Sequence, residues 1–239
     1  MDKQIKLIAM DMDGTLTQHR TPLCEIHREI LTQLSQKYKL LMVGAGQAMR
    51  IFRQMEGFPI DIIGNYGMQW GVYNQQTKAL DIVKDLRVSC DQQSVAERVT
   101  YMREKYGFTD FRGDSVEFHP SGCVTFPILG TAAKLEDKLA FDPDRAKRRK
   151  IYKDMADTFS DYSVFVGGST SFDMAPKPYD KYYALEQYCA ENGFSHSQVV
   201  YIGDDYGPGG NDEAVFRSDF HSVPIDSYLD FSEKIKHLL

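Results

Sequence analysis

Residues 7–17 read LIAMDMDGTLT. An apolar run from Leu7 to Met10 stops against Asp11 and Asp13, and Gly14 lets the chain turn at once while Thr15 offers a hydroxyl. In open α/β sheets ligands collect at the carboxyl ends of the strands, so carboxylates placed there point to chemistry as well as to a turn. Residues i and i+2 of an ideal strand share a face, which would set Asp11 and Asp13 side by side. A second stretch of the same kind, YIGDDYGPGGNDEAVF, spans residues 201–216 and carries Asp204, Asp205, Asn211 and Asp212 behind another apolar strand. Four carboxylates at two strand ends repel one another unless a cation joins them, and hard oxygen donors suit Mg2+. Between the two stretches, APKPYDKYYAL (175–185) puts Lys181 at a helix start, where an amine can steady a carboxylate nucleophile and a phosphoryl group.

The segments around these motifs alternate. The spacing of Ile26, Ile30, Leu31 and Leu34 predicts a helix over 23–37, after a Thr21-Pro22 start signal. Strands follow at Lys39–Val43 and Ile60–Ile63, with a helix at 47–56 between them. That order argues for a parallel sheet faced by helices. The middle of the chain differs. An amphipathic helix at 92–106 leads into runs 114–119 and 122–128, which Pro120-Ser121-Gly122 joins as an antiparallel hairpin. A helix is expected from Asp142-Pro143, strands at 163–167 and 170–174, and then a return to helix (179–192) and strand (Val199–Ile202). The fold class is thus α/β with an α+β insertion: a core domain formed by 1–83 and 169–239, interrupted by a cap domain at 84–168.

Composition narrows the function. With 239 residues, 42% of them hydrophobic, the chain can bury a sizeable core and is neither disordered nor fibrous. A net charge of −6 argues against a nucleic-acid or anionic-membrane partner. Asp11 and Asp13 break the N-terminal apolar run too early for a leader or a membrane span. The four cysteines have no metal-ligand spacing and read as reduced thiols of a cytoplasmic protein. The basic run from Arg145 to Lys150 reads as a solvated helix face.

Taken together, Asp-x-Asp-Gly-Thr, the later lysine and Gly-Asp-Asp…Asn-Asp resemble the haloacid dehalogenase (HAD) superfamily of aspartate-dependent phosphotransferases. GGSTSFDMAPKPYDKYYAL (167–185), GDDYGPGGND (203–212), DMDGTLTQHR (11–20) and, more loosely, FRGDSVEF (111–118) are similar to its eukaryotic-type phosphomannomutase branch. The resemblance implies a HAD-like, Rossmannoid parallel-sheet core with an α+β cap. It makes Asp11 the nucleophile, Asp13 the general acid/base and Lys181 the charge-balancing amine. Mg2+ would be held by Asp11, the backbone carbonyl of Asp13 and Asp204, with Asn211 and Asp212 in support. Arg20, Ser171 and Asp173 match substrate-contacting positions.

Two departures stand out. The resemblance leads one to expect a Ser or Thr hydroxyl after the second strand, where this chain has Val43-Gly44-Ala45-Gly46-Gln47. Backbone N–H groups of Gly46 and Gln47 are the expected substitutes for phosphate binding. Cap arginines of the branch are replaced by His119, by Gly130 or Thr131, and by Lys138, which lack the bidentate guanidinium fork. On these grounds the sequence reading favours a Mg2+-dependent phosphatase acting on a small phosphorylated sugar. A phosphomannomutase or phosphoglucomutase is the alternative, and a non-catalytic sugar-phosphate binding protein the third reading. A homodimer through the cap helix at 92–106 is a further expectation from the branch.

Overall fold

A computed structural model describes residues 4–239, so residues 1–3 of the expected first core segment lie outside the described residues. The chain divides into two compact units. Among the described residues, the first comprises 4–86, 180–207 and 212–239, and the second comprises Arg87–Tyr179 with Pro208–Asn211.

The first unit is built on a seven-stranded sheet. Its strands are β1 (Leu7–Met10), β2 (Lys39–Val43), β3 (Asp61–Gly64), β4 (Gln69–Asn74) and β5 (Ala79–Asp85), and later β10 (Val199–Gly203) and β11 (His221–Pro224). The order across the sheet is β11-β10-β1-β2-β3-β4-β5. The first five are parallel, with β1 between β10 and β2, whereas β4 and β5 run antiparallel at one edge. That hairpin was not anticipated: its turn, Asn74 to Lys78, is polar and its strands are half exposed. Both faces of β1 are covered, as parallel strands require. Leu7 and Ala9 pack with Ala184, Leu185 and Tyr188 of α6 (Lys181–Asn192). Ile8 and Met10 pack with Ile30, Leu31 and Leu34 of α1 (Glu25–Ser35) and Ile51 of α2 (Ala48–Gln54). Among the described residues, no helix is long and apolar enough to cross a membrane.

The second unit has a four-stranded antiparallel sheet in the order β6-β7-β9-β8. Its strands are β6 (Glu117–Phe118), β7 (Val124–Pro127), β8 (Tyr162–Gly167) and β9 (Ser171–Pro176). Helices α3 (Gln92–Tyr106) and α5 (Ala146–Thr158) supply Val95, Val99, Met102, Ile151 and Met155 to a core with Phe126, Phe159, Phe172 and Met174. The apolar face of the 92–106 helix is therefore spent inside its own unit.

Three expectations change here. β9 lies between β7 and β8, so Gly167-Gly168 is a hairpin turn within one sheet, and the second unit runs to Tyr179 instead of ending at 168. The helix expected from Asp142-Pro143 begins at Ala146; Asp142 instead follows α4 (Leu135–Phe141), and its carboxylate accepts the N–H groups of Lys147 (2.9 Å) and Arg148 (3.2 Å). The basic run is not wholly solvated. Arg148 is 1% exposed, pairs through Nε with Asp142 Oδ2 at 2.8 Å, and gathers the carbonyls of Gly167, Gly168 and Ser171 through Nη1. A guanidinium presents a rigid fork of donors, so it can tie a strand end, a turn and the next strand together, which a lysine could not.

Candidate active site

The carboxyl ends of β1 and β10 meet as neighbours, since Met10 is in register with Ile202. Asp11 leaves β1 on the α6 side and meets Lys181, the first residue of α6, whose Nζ lies 2.7 Å from Asp11 Oδ1 and 2.7 Å from Asp212 Oδ1. Lys181 is 0% exposed. Burying an ammonium costs several kcal/mol, about the order that two carboxylates at contact distance can offset. The amine is accordingly held charged: burial opposes protonation, but Asp11 and Asp212 outweigh it and raise its pKa. Asp212 is held by two further protein donors. Tyr201 donates its hydroxyl to the same Oδ1, and the N–H of Asp205 donates to Oδ2 at 3.0 Å.

Asp204 approaches from β10, and Thr15 donates its hydroxyl to Asp204 Oδ1 at 2.9 Å. Gly14 makes this approach possible. Its φ of +100° belongs to the region that disfavours side chains, and a Cβ there would sit 2.6 Å from the Asp204 carboxyl carbon. Asp11, Asp204 and Asp212 each place a carboxylate oxygen within 4.8 Å of the others. One amine does not balance them. Burial raises the Asp11 pKa well above the usual carboxylate range; Lys181 pulls it down, but Asp212 and Asp204 push it up again. Burial, with Asp212 next, raises Asp204 to about 6. An excess of crowded hard oxygen donors of this kind fits a small divalent cation held by Asp11 and Asp204, with Asp212 behind them.

Asp13 does not lie beside Asp11 in the way an ideal strand would dictate. β1 ends at Met10, the chain loops, and Asp13 is paired only by an isolated bridge to Thr17. Its side chain turns towards α2, where Gln54 Nε2 donates to Oδ1 at 2.7 Å. The N–H of Arg20 donates to the same oxygen at 2.7 Å, so Arg20 braces Asp13 with its backbone while its side chain is exposed. His19 Nδ1 and Arg50 Nη1 stand 3.9 and 3.8 Å from Oδ2. Gly46 and Gln47 lie in the loop between β2 and α2; Gln47 is the cap residue of that seven-residue helix, and the Ala48 N–H is already taken by Gln69 Oε1 at 2.8 Å.

The remaining candidates belong to the second unit. Asp173 and Ser171 sit on β9, and Ser171 Oγ donates to the Gly167 carbonyl (3.1 Å). Thr125 Oγ1 donates to Asp173 Oδ1 (3.1 Å) and also contacts His119 Nε2 (3.0 Å), which strings His119, Thr125 and Asp173 into one chain. Burial raises the Asp173 pKa despite Thr125 and the nearby His119. Lys138 on α4 donates to the Thr131 carbonyl at 3.3 Å. Asn211 falls in the segment Pro208–Asn211, which groups with this unit through a 2.8 Å hydrogen bond from the Val166 N–H to the Gly209 carbonyl.

A family profile described as eukaryotic phosphomannomutase matches residues 27–237. The chain belongs to that family. A probable phosphomannomutase of Caenorhabditis elegans is 24% identical over 253 residues, covering 97% of this chain and 96% of the relative. A phosphomannomutase of Schizosaccharomyces pombe is 28% identical over 248 residues, covering 95% and 93%. Among solved structures, a phosphatase of the HAD superfamily from Bacteroides thetaiotaomicron superposes with a TM-score of 0.63 at 14% identity, covering 99% of this chain and 96% of that one; at such identity the likeness speaks to fold alone. A member of the phosphomannomutase family with the α/β HAD fold is a HAD-type phosphotransferase. The phosphatase reading is overturned: the profile and the phosphomannomutases that match almost end to end favour the mutase, although the missing loop hydroxyl and the replaced cap arginines had argued for hydrolysis.

Several partners of the family's motif residues escaped the sequence. Tyr201 carried a weak signal, as the one polar tip in the apolar strand VVYIG. Gln54, Arg50 and Thr125 carried none, since polar residues of a helix or strand have no mark that ties them to a carboxylate elsewhere. Arg148 was hidden in its charge run.

Proposed function

We propose that the chain is a phosphohexomutase that interconverts hexose 1- and 6-phosphates, mannose phosphate among them. The family match across residues 27–237 carries this reading. In the proposed reaction a carboxylate oxygen of Asp11 attacks the phosphorus of a hexose bisphosphate. The P–O bond to the sugar breaks, and Asp13 gives its proton to the departing sugar oxygen. Asp13 then takes a proton from the free hydroxyl of an incoming hexose 1-phosphate as the phosphoryl group leaves Asp11 for that oxygen. The bisphosphate so formed, bound the other way round, gives its 1-phosphoryl group back to Asp11 and departs as the 6-phosphate. The bracing of Asp13 supports that role: Oδ1 is held by Gln54 and the Arg20 N–H, which leaves Oδ2 as the proton-carrying oxygen. Lys181 keeps Asp11 oriented and offsets part of its charge. Mg2+, bound by Asp11 and Asp204 with support from Asp212, would supply the positive charge that the crowded carboxylates and an incoming phosphate both need. Ser171 and Asp173 are proposed to bind sugar hydroxyls, and His119 and Lys138 a phosphate of the sugar. No nucleic acid or membrane enters this scheme.

The test supplies mannose 1-phosphate or glucose 1-phosphate with Mg2+, with and without a hexose bisphosphate. Hexose 6-phosphate that forms only with the bisphosphate is the expected result. Free phosphate without any 6-phosphate would sink the reading.

A further inference from the structure

Successive side chains of a strand face opposite ways. In the second unit Val124, Phe126, Phe172 and Met174 enter the core, which turns Thr125 of β7 and Asp173 of β9 to the other face, in register with each other. Glu117 of β6 is in register with Thr125, and His119, two residues further on, reaches Thr125 from just beyond the end of β6. His119, Thr125 and Asp173 form one hydrogen-bonded chain, and counting protons fixes its order. Thr125 Oγ1 has a single hydrogen, which goes to Asp173 Oδ1 at 3.1 Å. The hydroxyl has none left for His119, so the 3.0 Å contact holds only if Nε2 carries the ring proton. Nδ1 is then bare in the neutral ring. Among the described residues it makes no hydrogen bond, and it is not one of the buried polar atoms without a partner, so it stays open to solvent.

A bare ring nitrogen accepts. It can take a hydrogen bond from a sugar hydroxyl as it stands, but a phosphate dianion offers no proton, so Nδ1 must gain one to bind it. An arginine in the same place would bring its charge ready made. The carboxylate at the far end of the chain favours that gain. Burial raises the Asp173 pKa, and Thr125, His119, Ser171 and Arg148 of α5 each pull it back. Glu117, two residues before His119, adds a second carboxylate. Cys123, whose carbonyl accepts the His119 N–H, has a thiol that burial pushes up to about 11, which leaves it neutral.

We propose that Thr125 is a positioning residue that fixes the His119 proton on Nε2, so that His119 binds the phosphate of a sugar phosphate only with uptake of a proton at Nδ1. The inference rests on the proposed function for the presence of that ligand, but its test does not depend on turnover. Mannose 6-phosphate is titrated into the full chain with Mg2+ present, by calorimetry, at a pH about one unit above the ordinary imidazole value. Repeating the titration in buffers of different ionisation heat gives the protons taken up per ligand bound. The wild type should take up about half a proton or more beyond His119→Gln, a difference in which the ligand's own phosphate titration cancels. His119→Gln should also bind roughly tenfold more weakly, as for loss of a charge-assisted hydrogen bond. His119→Arg should bind at least as tightly as the wild type, with uptake no greater than that of His119→Gln. Thr125→Val frees Nε2 and lets the neutral ring carry its proton on Nδ1, so uptake should fall to the His119→Gln level, and Thr125→Ser should restore it.

Equal proton uptake in the wild type and His119→Gln would overturn the proposal, as would a wild type that binds no mannose 6-phosphate. A Thr125→Val variant that keeps the wild-type uptake would also overturn it, because a role confined to holding the sheet together moves affinity and leaves the proton count alone. Should His119→Gln fail to fold, His119→Arg supplies the comparison by the same criterion. Uptake that depends on His119, in a chain that isomerises no sugar phosphate, would sink the mutase reading alone; isomerisation without such uptake would sink this inference alone.

Discussion

Lys181 in the first unit and Arg148 in the second are both buried cations paired with buried aspartates, and they differ in what is left over. Arg148 meets one carboxylate, Asp142, and spends Nη1 on backbone carbonyls that define the β8–β9 turn. Burial works against the Asp142 carboxylate, but hydrogen bonds from Arg148 and from the N–H groups of Lys147 and Arg148 win, and its pKa falls. Lys181 meets two carboxylates with a third close by, and there burial wins: Asp11 is pushed up although Lys181 pulls it down. The first pair is balanced and holds a turn in place. The second is short of positive charge, and that shortage is what suits it to a metal ion. A buried ion pair is thus weak evidence of function, whereas an unbalanced one beside an open strand end is strong.

The largest effect should come from Asp11→Asn. Turnover should drop by about a thousandfold or more, as for loss of a catalytic nucleophile, while the melting temperature holds or rises because a crowded carboxylate is gone. A marked fall in stability would mean that the Lys181 cluster is as balanced as the Arg148 pair. Arg148→Met should do the reverse, costing about 3–5 kcal/mol in chemical denaturation by stranding a buried Asp142. Adding Asp142→Leu should restore much of that loss, since an apolar pair can replace a structural ion pair; no recovery would argue that the carbonyl contacts dominate. Gly14→Ala should weaken Mg2+ binding, measured by calorimetry, because its Cβ would crowd the Asp204 carboxylate. Unchanged affinity would remove Asp204 from the proposed metal site.

The smallest effect is at the surface of the first unit, where His196 lies between Glu186 and Asp219. Burial lowers its pKa, but the hydrogen bonds to Asp219 and Glu186 prevail and raise it above 6.5. A raised folded-state pKa gives stability that is complete below about pH 6.5 and fades as pH climbs through the folded value. Asp219 is exposed and Glu186 half-buried, so the contribution stays under about 1 kcal/mol. His196→Gln should flatten this part of the stability–pH curve, and an unchanged slope would exclude His196 as its source.

What the sequence made legible follows the same division. Asp11, Asp13, Lys181 and Asp204 sit in short motifs that are contiguous in the sequence, and the alternating apolar runs mark β1, β2, β3 and β10 within a residue or two. α4 has no buried residue, so no periodic stripe could announce it. The β4–β5 hairpin is half exposed and has a polar turn. Arg148 looked like its solvated neighbours because its burial is decided by carbonyls about twenty residues away in β8 and β9. The split orientation of Asp11 and Asp13 depends on where β1 stops, and alternation alone does not fix a strand's last residue.

In the proposed mutase reaction the uncompensated carboxylate Asp11 carries the phosphoryl group from one sugar oxygen to another. Rapid-quench labelling with hexose bisphosphate bearing radioactive phosphate tests it directly, with the labelled peptide identified by mass spectrometry. Label should appear on Asp11 within one turnover and be chased into hexose monophosphate by unlabelled hexose 1-phosphate. Label absent from Asp11, or chased only into inorganic phosphate, would contradict it.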